Sequence, residues 1–374
     1  GPAPPPPPLV QAQVALPVGT SFYVNPANPG PPVVSPDGRH VAYAALDTTG
    51  QVLLFVRSLA DATARPLGGT RGAAYPFWAP NSRELGFFRD GDLCRVDIAG
   101  GPVVTICPAD NGKGGSWNQD DVILFAPTHV ASIWSVPATG GQPSEITAVA
   151  ADSLVRSHRF PCWLPDGRHF LYLAWYTGSG RGVGNETALR LASLDGATDR
   201  ELMATQTNAA YVDGQILHVH DSNLMSRPFS AADLEFTGPP RPLLGEVLAL
   251  QAAHAATFSA SGAGVLAYVG GSGVFGRSRL SWHAPDGEPQ STMPHELLSP
   301  QGLDLAADGR RLAIAQADQR TGTYDIWVYE VGREVGARFT FHTESELSPV
   351  WSSDGRWITY ASTSGGDDAI YRKL

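Results

Sequence analysis

Short segments of alternating apolar and polar residues run through the whole chain, and turn-forming residues separate them at close intervals. Val41 and Tyr43 are two residues apart, as are Phe170 and Tyr172, which is the period of a β-strand with two different faces. Both pairs follow a Pro-Asp-Gly-Arg sequence, in which proline presets φ and glycine accepts a positive φ. The pattern therefore predicts many short strands joined by tight turns.

This unit of strand, turn and strand recurs eight times along the chain. Its clearest turns are residues 36–39, 165–168, 307–310 and 353–356. With four weaker copies, the equivalent turn positions are 37, 81, 120, 166, 213, 261, 308 and 354. The steps between them, from 39 to 48 residues, match the length of a four-stranded propeller blade. We therefore predict an all-β fold, a β-propeller of four-stranded antiparallel blades, with eight blades or, as the alternative, seven blades and one additional hairpin.

The two ends of the chain are predicted to differ from the repeats. The eighth repeat contains three predicted strands, and residues 11–17 are predicted to supply its missing outer strand and close the ring. The alternative is an unpaired last repeat. Residues 1–10 combine a Gly-Pro start, typical of a cleaved expression tag, with five consecutive prolines that predict a polyproline II linker or, as the alternative, a disordered tail. Residues 11–374 are predicted to form one propeller domain.

Composition supports this fold and argues against several classes of function. The 41 glycines and 31 prolines suit a protein of strands and turns, while only 17% of residues are charged and the formal net charge is −10. Nucleic-acid binding and a polybasic membrane contact both need clustered Lys and Arg, which the sequence lacks. We also find no apolar run long enough for a transmembrane helix and no signal peptide, so we expect membrane attachment only through a tether outside this chain.

The three cysteines are too few for a disulfide framework. A hairpin centred on Gly100 and Gly101 would place Cys94 opposite Cys107, close enough for a disulfide bond that would indicate an oxidising compartment. The alternative is that both are small apolar residues packed on one face of the sheet. Cys162 has no evident partner in the sequence.

The repeats resemble the PD40, or WD40-like, repeats of TolB-like propellers, and the closest likeness is to the extracytoplasmic propeller region of bacterial transmembrane Ser/Thr protein kinases. The segments that carry this likeness are residues 14–20, 96–102, 114–118 and 160–170. The resemblance implies a propeller on the periplasmic or extracellular side of a bacterial membrane, joined by a proline-rich tether to a membrane span and a cytoplasmic kinase domain. The kinase signature motifs are absent from this sequence, so no kinase activity is implied for this chain.

No sequence motif predicts catalysis or a cofactor. Residues 270–276 contain several glycines and one serine, but they do not form the Gly-x-Ser-x-Gly of a nucleophile elbow. His218 and His220 lie on one face of a predicted strand and could be half of a metal site, yet no further ligand stands at a suitable spacing. A polar strand face is therefore the favoured interpretation, and we predict no catalytic residue, no metal and no cofactor.

The residues just before each innermost strand are the best candidates for a binding site, because in a propeller they gather around one end of the central channel. Arg, His, Tyr and Trp side chains there could bind an anionic or a peptide ligand. The alternative is that they only connect neighbouring blades by hydrogen bonds. The predicted ligand-binding residues are Arg71, Tyr75, Lys113, Trp117, Arg156, His158, His254 and Glu346, with Gln301 and Asp304 at equivalent positions.

The sequence as a whole favours a binding function. The leading hypothesis is a non-catalytic propeller that binds a small molecule, peptide or protein and serves as the sensor or interaction domain of a membrane Ser/Thr kinase. The second hypothesis is an accessory propeller of a prolyl-oligopeptidase-like serine peptidase that lacks its hydrolase domain. The third is a propeller enzyme that acts through a metal in its channel. Fold analogy alone does not choose between these hypotheses.

Overall fold

A computed structural model describes most of the chain. The described residues are 16–23, 28–61, 63–149, 154–176, 187–250, 253–270, 277–278, 280–284, 288–293, 297–298, 300–318, 323–331, 336–342, 344–362 and 369–374. Every regular element in these residues is a β-strand, and they contain no α-helix. The predicted all-β fold is confirmed.

The first five repeats each form one antiparallel sheet. Their strands are β1 Ser21–Phe22, β2 Val33–Val34, β3 His40–Leu46, β4 Val52–Ser58, β5 Ala64–Pro66, β6 Ala74–Trp78, β7 Glu84–Arg89, β8 Asp92–Asp97, β9 Val104–Pro108, β10 Gly115–Trp117, β11 Val122–Phe125, β12 Trp134–Pro137, β13 Ser144–Glu145, β14 Val155–Trp163, β15 His169–Tyr176, β16 Thr187–Ser193, β17 Asp199–Ala204, β18 Ala209–Val212, β19 Gln215–His220, β20 Asn223–Ser230, β21 Glu235–Phe236 and β22 Arg241–Leu244. Sheets β6–β9, β10–β13 and β14–β17 each pair four strands in chain order, as predicted. In the first sheet β1 and β2 both pair with β3, and in the fifth β21 and β22 both pair with β20.

The remaining repeats give shorter or separate sheets. Their strands are β23 Ala249–Leu250, β24 Ala255–Ala256, β25 Phe258–Ala260, β26 Leu266–Tyr268, β27 Arg277–Ser278, β28 Ser281–His283, β29 Pro289–Thr292, β30 Leu297–Leu298, β31 Gln301–Leu305, β32 Arg311–Ala317, β33 Tyr324–Glu330, β34 Gly336–Arg338, β35 Glu346–Trp351, β36 Ile358–Ser362 and β37 Ala369–Lys373. The seventh repeat is a four-stranded sheet, β31–β34. The eighth has the three strands that the sequence predicts, β35–β37.

The described residues divide into two compact units. The first contains residues 16–176, 187–247 and 253–269, and the second contains residues 248–250 and 270–374, apart from the gaps given above. Five complete sheets and the hairpin of β25 and β26 belong to the first unit, and the seventh and eighth repeats belong to the second.

In the first unit, the innermost strands of six repeats follow one another in a closed circle. Their order is β2, β6, β10, β14, β18 and β25, and β25 lies next to β2. The Val34 N–H donates a hydrogen bond of 3.0 Å to the Ser259 hydroxyl across this last contact. The first repeat therefore neighbours the sixth in this unit, and the predicted ring of eight or seven blades stays a prediction. Residues 1–10, and residues 11–15 of the predicted closing strand, lie outside the described part of the chain.

Apolar side chains fill the space between neighbouring sheets. Leu54 of β4 packs with Leu85 and Phe87 of β7 between the first and second sheets. Phe88, the next residue of β7, packs with Phe125 of β11 between the second and third sheets. Alternate residues of one strand therefore enter different core layers, which is the physical basis of the alternating sequence pattern.

A β-bulge recurs in the innermost strands just before the tryptophan of the repeat. Tyr75, Phe160 and Ser348 have positive φ angles of 48°, 51° and 52°, and each is followed by proline. Strand pairing shifts register at all three positions. The bulge breaks the alternation of side chains there and re-aims the residues at the start of the strand.

Cys94 and Cys107 do not face each other, so the disulfide bond that the sequence left open does not form between them. A bulge pairs Cys107 with Leu93 and Cys94 with Thr105. Cys94 consequently packs between the first and second sheets, and Cys107 packs between the second and third. Both thiols are free and buried, and burial raises their pKa, that of Cys107 to about 11. They serve as small apolar core residues on opposite faces of the sheet.

Candidate functional site

The circle of innermost strands in the first unit has two ends with different chemistry. We call the end where these strands begin the upstream end, and the end where they run into the Asp-Gly turns the turn end. Four of the predicted ligand-binding residues belong to the upstream end: Tyr75, Lys113, His158 and His254.

Tyr75, Lys113 and Phe160 form the centre of the upstream end. The Tyr75 and Phe160 rings lie 5.7 Å apart between centroids, and Lys113 Nζ lies 5.4 Å from the centre of the Tyr75 ring. The Phe160 N–H donates to the Lys113 carbonyl at 3.0 Å. Three successive repeats thus meet through one ring pair and one ammonium group.

Lys113 is almost completely buried. Its ammonium donates to Asn28 Oδ1 at 2.7 Å and to Asn111 Oδ1 at 2.8 Å. Burial, with a smaller effect from the positive charge of Arg159, lowers the pKa of Lys113 to about 8. The lysine is therefore held by neutral amide oxygens in a poorly hydrated site, where the charged form is disfavoured.

Arg159 is a central residue of this end that the sequence analysis missed. Its guanidinium lies 4.8 Å from the Trp175 ring centre and donates to the Ser157 hydroxyl at 2.8 Å and the His129 carbonyl at 2.9 Å. A signal was present, because Arg159 stands four residues before Trp163, as Lys113 stands four residues before Trp117. The predicted Arg156, three residues earlier, is exposed.

The two predicted histidines are largely removed from water and favour the neutral form. His158 Nδ1 lies 2.7 Å from the Thr147 hydroxyl, and its ring centre lies 4.6 Å from that of Tyr172. The His254 ring packs on Trp175 at 5.3 Å. Burial lowers the pKa of each to about 4, with Arg159 adding to the effect at His254.

The other predicted residues are placed elsewhere. Arg71 is exposed in the turn before β6. Trp117 is buried at the turn end, where its indole N–H donates to Asp121 Oδ1 at 3.0 Å. Glu346 belongs to the second unit, as do Gln301 and Asp304, whose carboxylate accepts the Trp351 N–H at 2.6 Å. Glu346 is fully buried, and burial raises its pKa.

The turn end contains a cavity of about 780 Å³ that is open to solvent. All six innermost strands of the first unit, or the turns that follow them, contribute to its wall. Five aromatic residues line it: Phe77, Trp78, Trp117, Trp163 and Tyr211. Three aspartates also line it, Asp120, Asp166 and Asp213, whereas none of the described lining residues is Lys, Arg or His. A polar and aromatic cavity of this size is typical of a ligand site.

The three aspartates differ in their local partners. Asp166 accepts the Arg168 N–H at 3.0 Å and lies 2.5 Å from His169 Nδ1, so its carboxylate holds the turn together. In the third repeat, Asn118 Oδ1 does this instead, because it accepts the backbone N–H groups of Asp120 and Val122, each at 3.0 Å. The Asp120 carboxylate is therefore not needed for the turn.

Ser261 lies in the wall of the same cavity, with its hydroxyl buried. The residue is 5% exposed, and its Oγ has no hydrogen-bond partner among the described residues. The Oγ atom is itself shielded from solvent and faces the turn of the first repeat, where a Cβ built on Gly38 would lie 3.5 Å from it, so it does not face the open space of the cavity.

The described residues show neither a metal-binding cluster nor a membrane-spanning helix. No group of His, Cys, Asp and Glu in the described part of the chain could hold a metal ion. His218 is buried, whereas His220 is exposed and lies 3.4 Å from Asp221. Among the described segments, none is an apolar helix of membrane-spanning length.

No protein-family model matches the chain, and no curated protein does. Among solved structures, the chain is similar to one in the "Crystal Structure of Mitotic Checkpoint Complex", with 12% identity and a TM-score of 0.43 over 100% of this chain and 96% of the other. It is also similar to a Dos1 propeller, with 11% identity and a TM-score of 0.37 over 95% and 94%. A third is a putative TolB from Agrobacterium tumefaciens, with 14% identity and a TM-score of 0.31 over 83% and 85%. Because these TM-scores are below 0.5, the all-β assignment rests on the strand pairing described above.

Proposed function

We propose that the chain is a non-catalytic binding module of the β-propeller type, and that its ligand occupies the turn-end cavity of the first unit. The observation that carries this proposal is the cavity of about 780 Å³ whose wall is built from six successive innermost strands. Its lining combines aromatic rings with carboxylates, which together can orient a ligand.

The upstream end is better suited to connecting the repeats. Lys113 and Arg159 are buried and already bonded to side chains and carbonyl groups of neighbouring repeats. His158 and His254 are neutral near pH 7, because the pKa of each is about 4. A ligand at this end would have to displace these contacts, whereas at the turn end it would fill existing space.

For the biological role, we propose the sensor or interaction domain of a bacterial membrane Ser/Thr kinase, on the periplasmic or extracellular side of the membrane. The support is the sequence resemblance at residues 14–20, 96–102, 114–118 and 160–170, together with the five prolines near the start. The accessory propeller of a prolyl-oligopeptidase-like peptidase is the second candidate. A kinase domain and membrane span encoded upstream in the parent gene would support the first, and a hydrolase domain encoded downstream would support the second.

The binding proposal is tested by filling the cavity. Ala260 lines it at the end of β25, so Ala260→Trp is expected to occupy space that the ligand needs. The matched control is Ala60→Trp, at an exposed turn position outside the cavity. Thermal unfolding is measured for all three proteins against cell-wall fragments, peptides, sugars and metal ions, and pull-downs are performed with the same proteins as bait.

A ligand at about 100 times its Kd is expected to stabilise the wild type and Ala60→Trp by about 2.7 kcal/mol. Ala260→Trp is expected to lose this stabilisation. If every ligand or partner that binds the wild type binds Ala260→Trp equally well, the cavity is not the binding site and the proposal fails.

A further inference from the structure

We infer that the outer edge of β37, in the eighth repeat, binds an extended segment of a partner protein, which adds to the sheet as a fourth strand. In this segment three alternate residues are apolar, acidic and apolar. The inference concerns the second unit and does not depend on the turn-end cavity.

β37 is a long and regular outer strand. It pairs with β36 from Ala369 to Lys373 without a shift of register, and no described strand pairs with its other edge. Residues 370–373 are all exposed. The free edge of a sheet presents backbone N–H and C=O groups with which another strand can pair.

The outer strands of six other repeats are shorter or interrupted. Those of the first, third and seventh repeats have two or three residues, and those of the second, fourth and fifth repeats shift register against their neighbours. Short strands and bulges are common devices that keep the edge of a sheet from pairing with another chain. β37 has neither device, so its edge is suited to strand addition.

Alternate residues at this edge lie on the face of the sheet that is turned away from the seventh repeat. The Tyr371 ring stacks on Tyr360, which belongs to the core between the seventh and eighth repeats. Ile370, Arg372 and Leu374 therefore point to the opposite face. Ile370 is 78% exposed and Leu374 is 64% exposed. An arginine thus stands between two apolar side chains that no described residue covers.

The charge on this face is positive. The Arg372 guanidinium lies 4.5 Å from the centre of the Trp357 ring and has no ion pair with a described residue. Lys373 lies on the other face, where its ammonium donates to the Phe339 carbonyl at 2.6 Å. Two paired copies of β37 would bring two arginines and two lysines together, which disfavours a second copy as the partner. A strand with an acidic residue opposite Arg372 is favoured instead.

The positions along the partner strand follow from the geometry of antiparallel pairing. Residues directly opposite each other have Cβ atoms about 4.5–5.5 Å apart and point to the same face of the sheet. The partner residues opposite Ile370, Arg372 and Leu374 are therefore apolar, acidic and apolar. Main-chain hydrogen bonds supply most of the affinity in strand addition, and these three side chains supply the preference.

The probes are the peptide acetyl-Thr-Val-Thr-Glu-Thr-Val-Thr-amide and the same peptide with lysine in place of glutamate. Binding is measured by isothermal titration and by hydrogen exchange at residues 369–373. The glutamate peptide is expected to bind the wild type about threefold to tenfold more tightly than the lysine peptide. It should also slow the exchange of the β37 backbone amides.

Strand addition itself is tested with N-methylated peptides. Two further glutamate peptides carry N-methyl groups on alternate residues, in the two possible phases. In a strand, alternate N–H groups point to opposite edges, so one phase blocks the N–H groups that face β37 and the other does not. One of these peptides should lose binding and the other should keep it.

Arg372→Gln is expected to bind the glutamate and lysine peptides equally. The matched control is Arg83→Gln, at an exposed turn position of the first unit, which should keep the preference of the wild type. Ala260→Trp should bind both peptides as the wild type does, because the cavity that it fills belongs to the first unit. Failure of this inference is therefore distinguishable from failure of the proposed function.

Four results would overturn the inference. They are no binding of the glutamate peptide at about 10 mM, equal affinity of the wild type for the two charged peptides, and the same effect of N-methylation in both phases. The fourth is slow exchange at residues 369–373 without any peptide, which would show that another part of the chain, such as residues 11–15, already holds this edge.

Discussion

At the scale of single residues, the packing of the upstream end depends on the residue type three positions before the tryptophan of each repeat. Two of these positions carry aromatic rings, Tyr75 and Phe160, and the third carries Gly114. Gly114 has a φ of +89°, and a Cβ there would lie 2.7 Å from Phe160 Cδ1 and 3.1 Å from Phe160 Cα. The missing side chain is therefore what allows the rings of the second and fourth repeats to meet across the third.

Gly114→Ala is expected to destabilise the first unit by about 2–4 kcal/mol. About 1 kcal/mol of this loss comes from the positive φ. The rest comes from the contact of the added Cβ with the Phe160 Cα atom, which a change of side-chain rotamer cannot relieve. Gly50→Ala is the control, since Gly50 has a φ of +77° but nothing within 4 Å of the added Cβ. Chemical denaturation measures both. Equal losses in the two variants would show that only backbone strain matters.

At the scale of elements, tryptophans join one innermost strand to the next. The Trp78 indole N–H donates to the Val33 carbonyl at 2.9 Å, and the Trp163 indole N–H donates to the Ser116 carbonyl at 3.1 Å. Trp351 occupies the same place in the eighth repeat, but its indole N–H is buried without a hydrogen-bond partner in the described residues. The repeats therefore contain tryptophans with and without this connection.

Trp163→Phe is expected to destabilise the unit that contains it by about 1–2 kcal/mol more than Trp351→Phe does. Both changes replace an indole ring by a phenyl ring and so remove the same volume. Only Trp163→Phe also breaks a hydrogen bond between innermost strands. The unfolding free energy of the unit carrying each change is the quantity to compare. A larger loss for Trp351→Phe would contradict a connecting role for the indole N–H.

The elements were also the level at which the sequence was most informative. Alternation and the Pro-Asp-Gly turns predicted the strands, their antiparallel pairing and the three-stranded eighth repeat, because both signals are local. The bulge beside Cys94 and the neighbourhood of the first and sixth repeats depend on packing between sheets, which no local signal contains. Tyr75, Lys113 and His254 were predicted because their place before an innermost strand is a local signal. The turn-end cavity was not predicted, because it depends on how six repeats pack together.

At the scale of the whole molecule, buried titratable groups divide unevenly between the two units. The first unit contains His158, His218 and His254, and burial lowers the pKa of each to about 4. The second unit contains Glu346 and Asp325, and burial raises the pKa of both. The two units should therefore respond to acid in opposite directions.

As the pH falls from about 6.5 towards 4, the unfolded chain binds protons at the three histidines that the folded first unit does not bind. The first unit is expected to lose about 1–2 kcal/mol for each histidine by about pH 5. Folded Glu346 instead binds its proton more readily than the unfolded chain does. The stability that this proton contributes is fully present below the pKa that Glu346 has in the unfolded chain, and it is lost as the pH rises through the raised pKa of the folded state. The second unit should therefore become more stable on acidification.

Differential scanning calorimetry between about pH 7 and pH 5 should therefore separate two transitions, with the first unit unfolding at the lower temperature in acid. His218→Phe removes a buried imidazole whose ring nitrogens have no hydrogen-bond partner among the described residues, and it should weaken the acid sensitivity of the first transition only. Glu346→Gln should flatten the pH dependence of the second transition, and Glu235→Gln, at an exposed position, should change neither. A single transition that responds equally to His218→Phe and Glu346→Gln would show that the two units unfold together, and that their opposite proton linkages partly cancel.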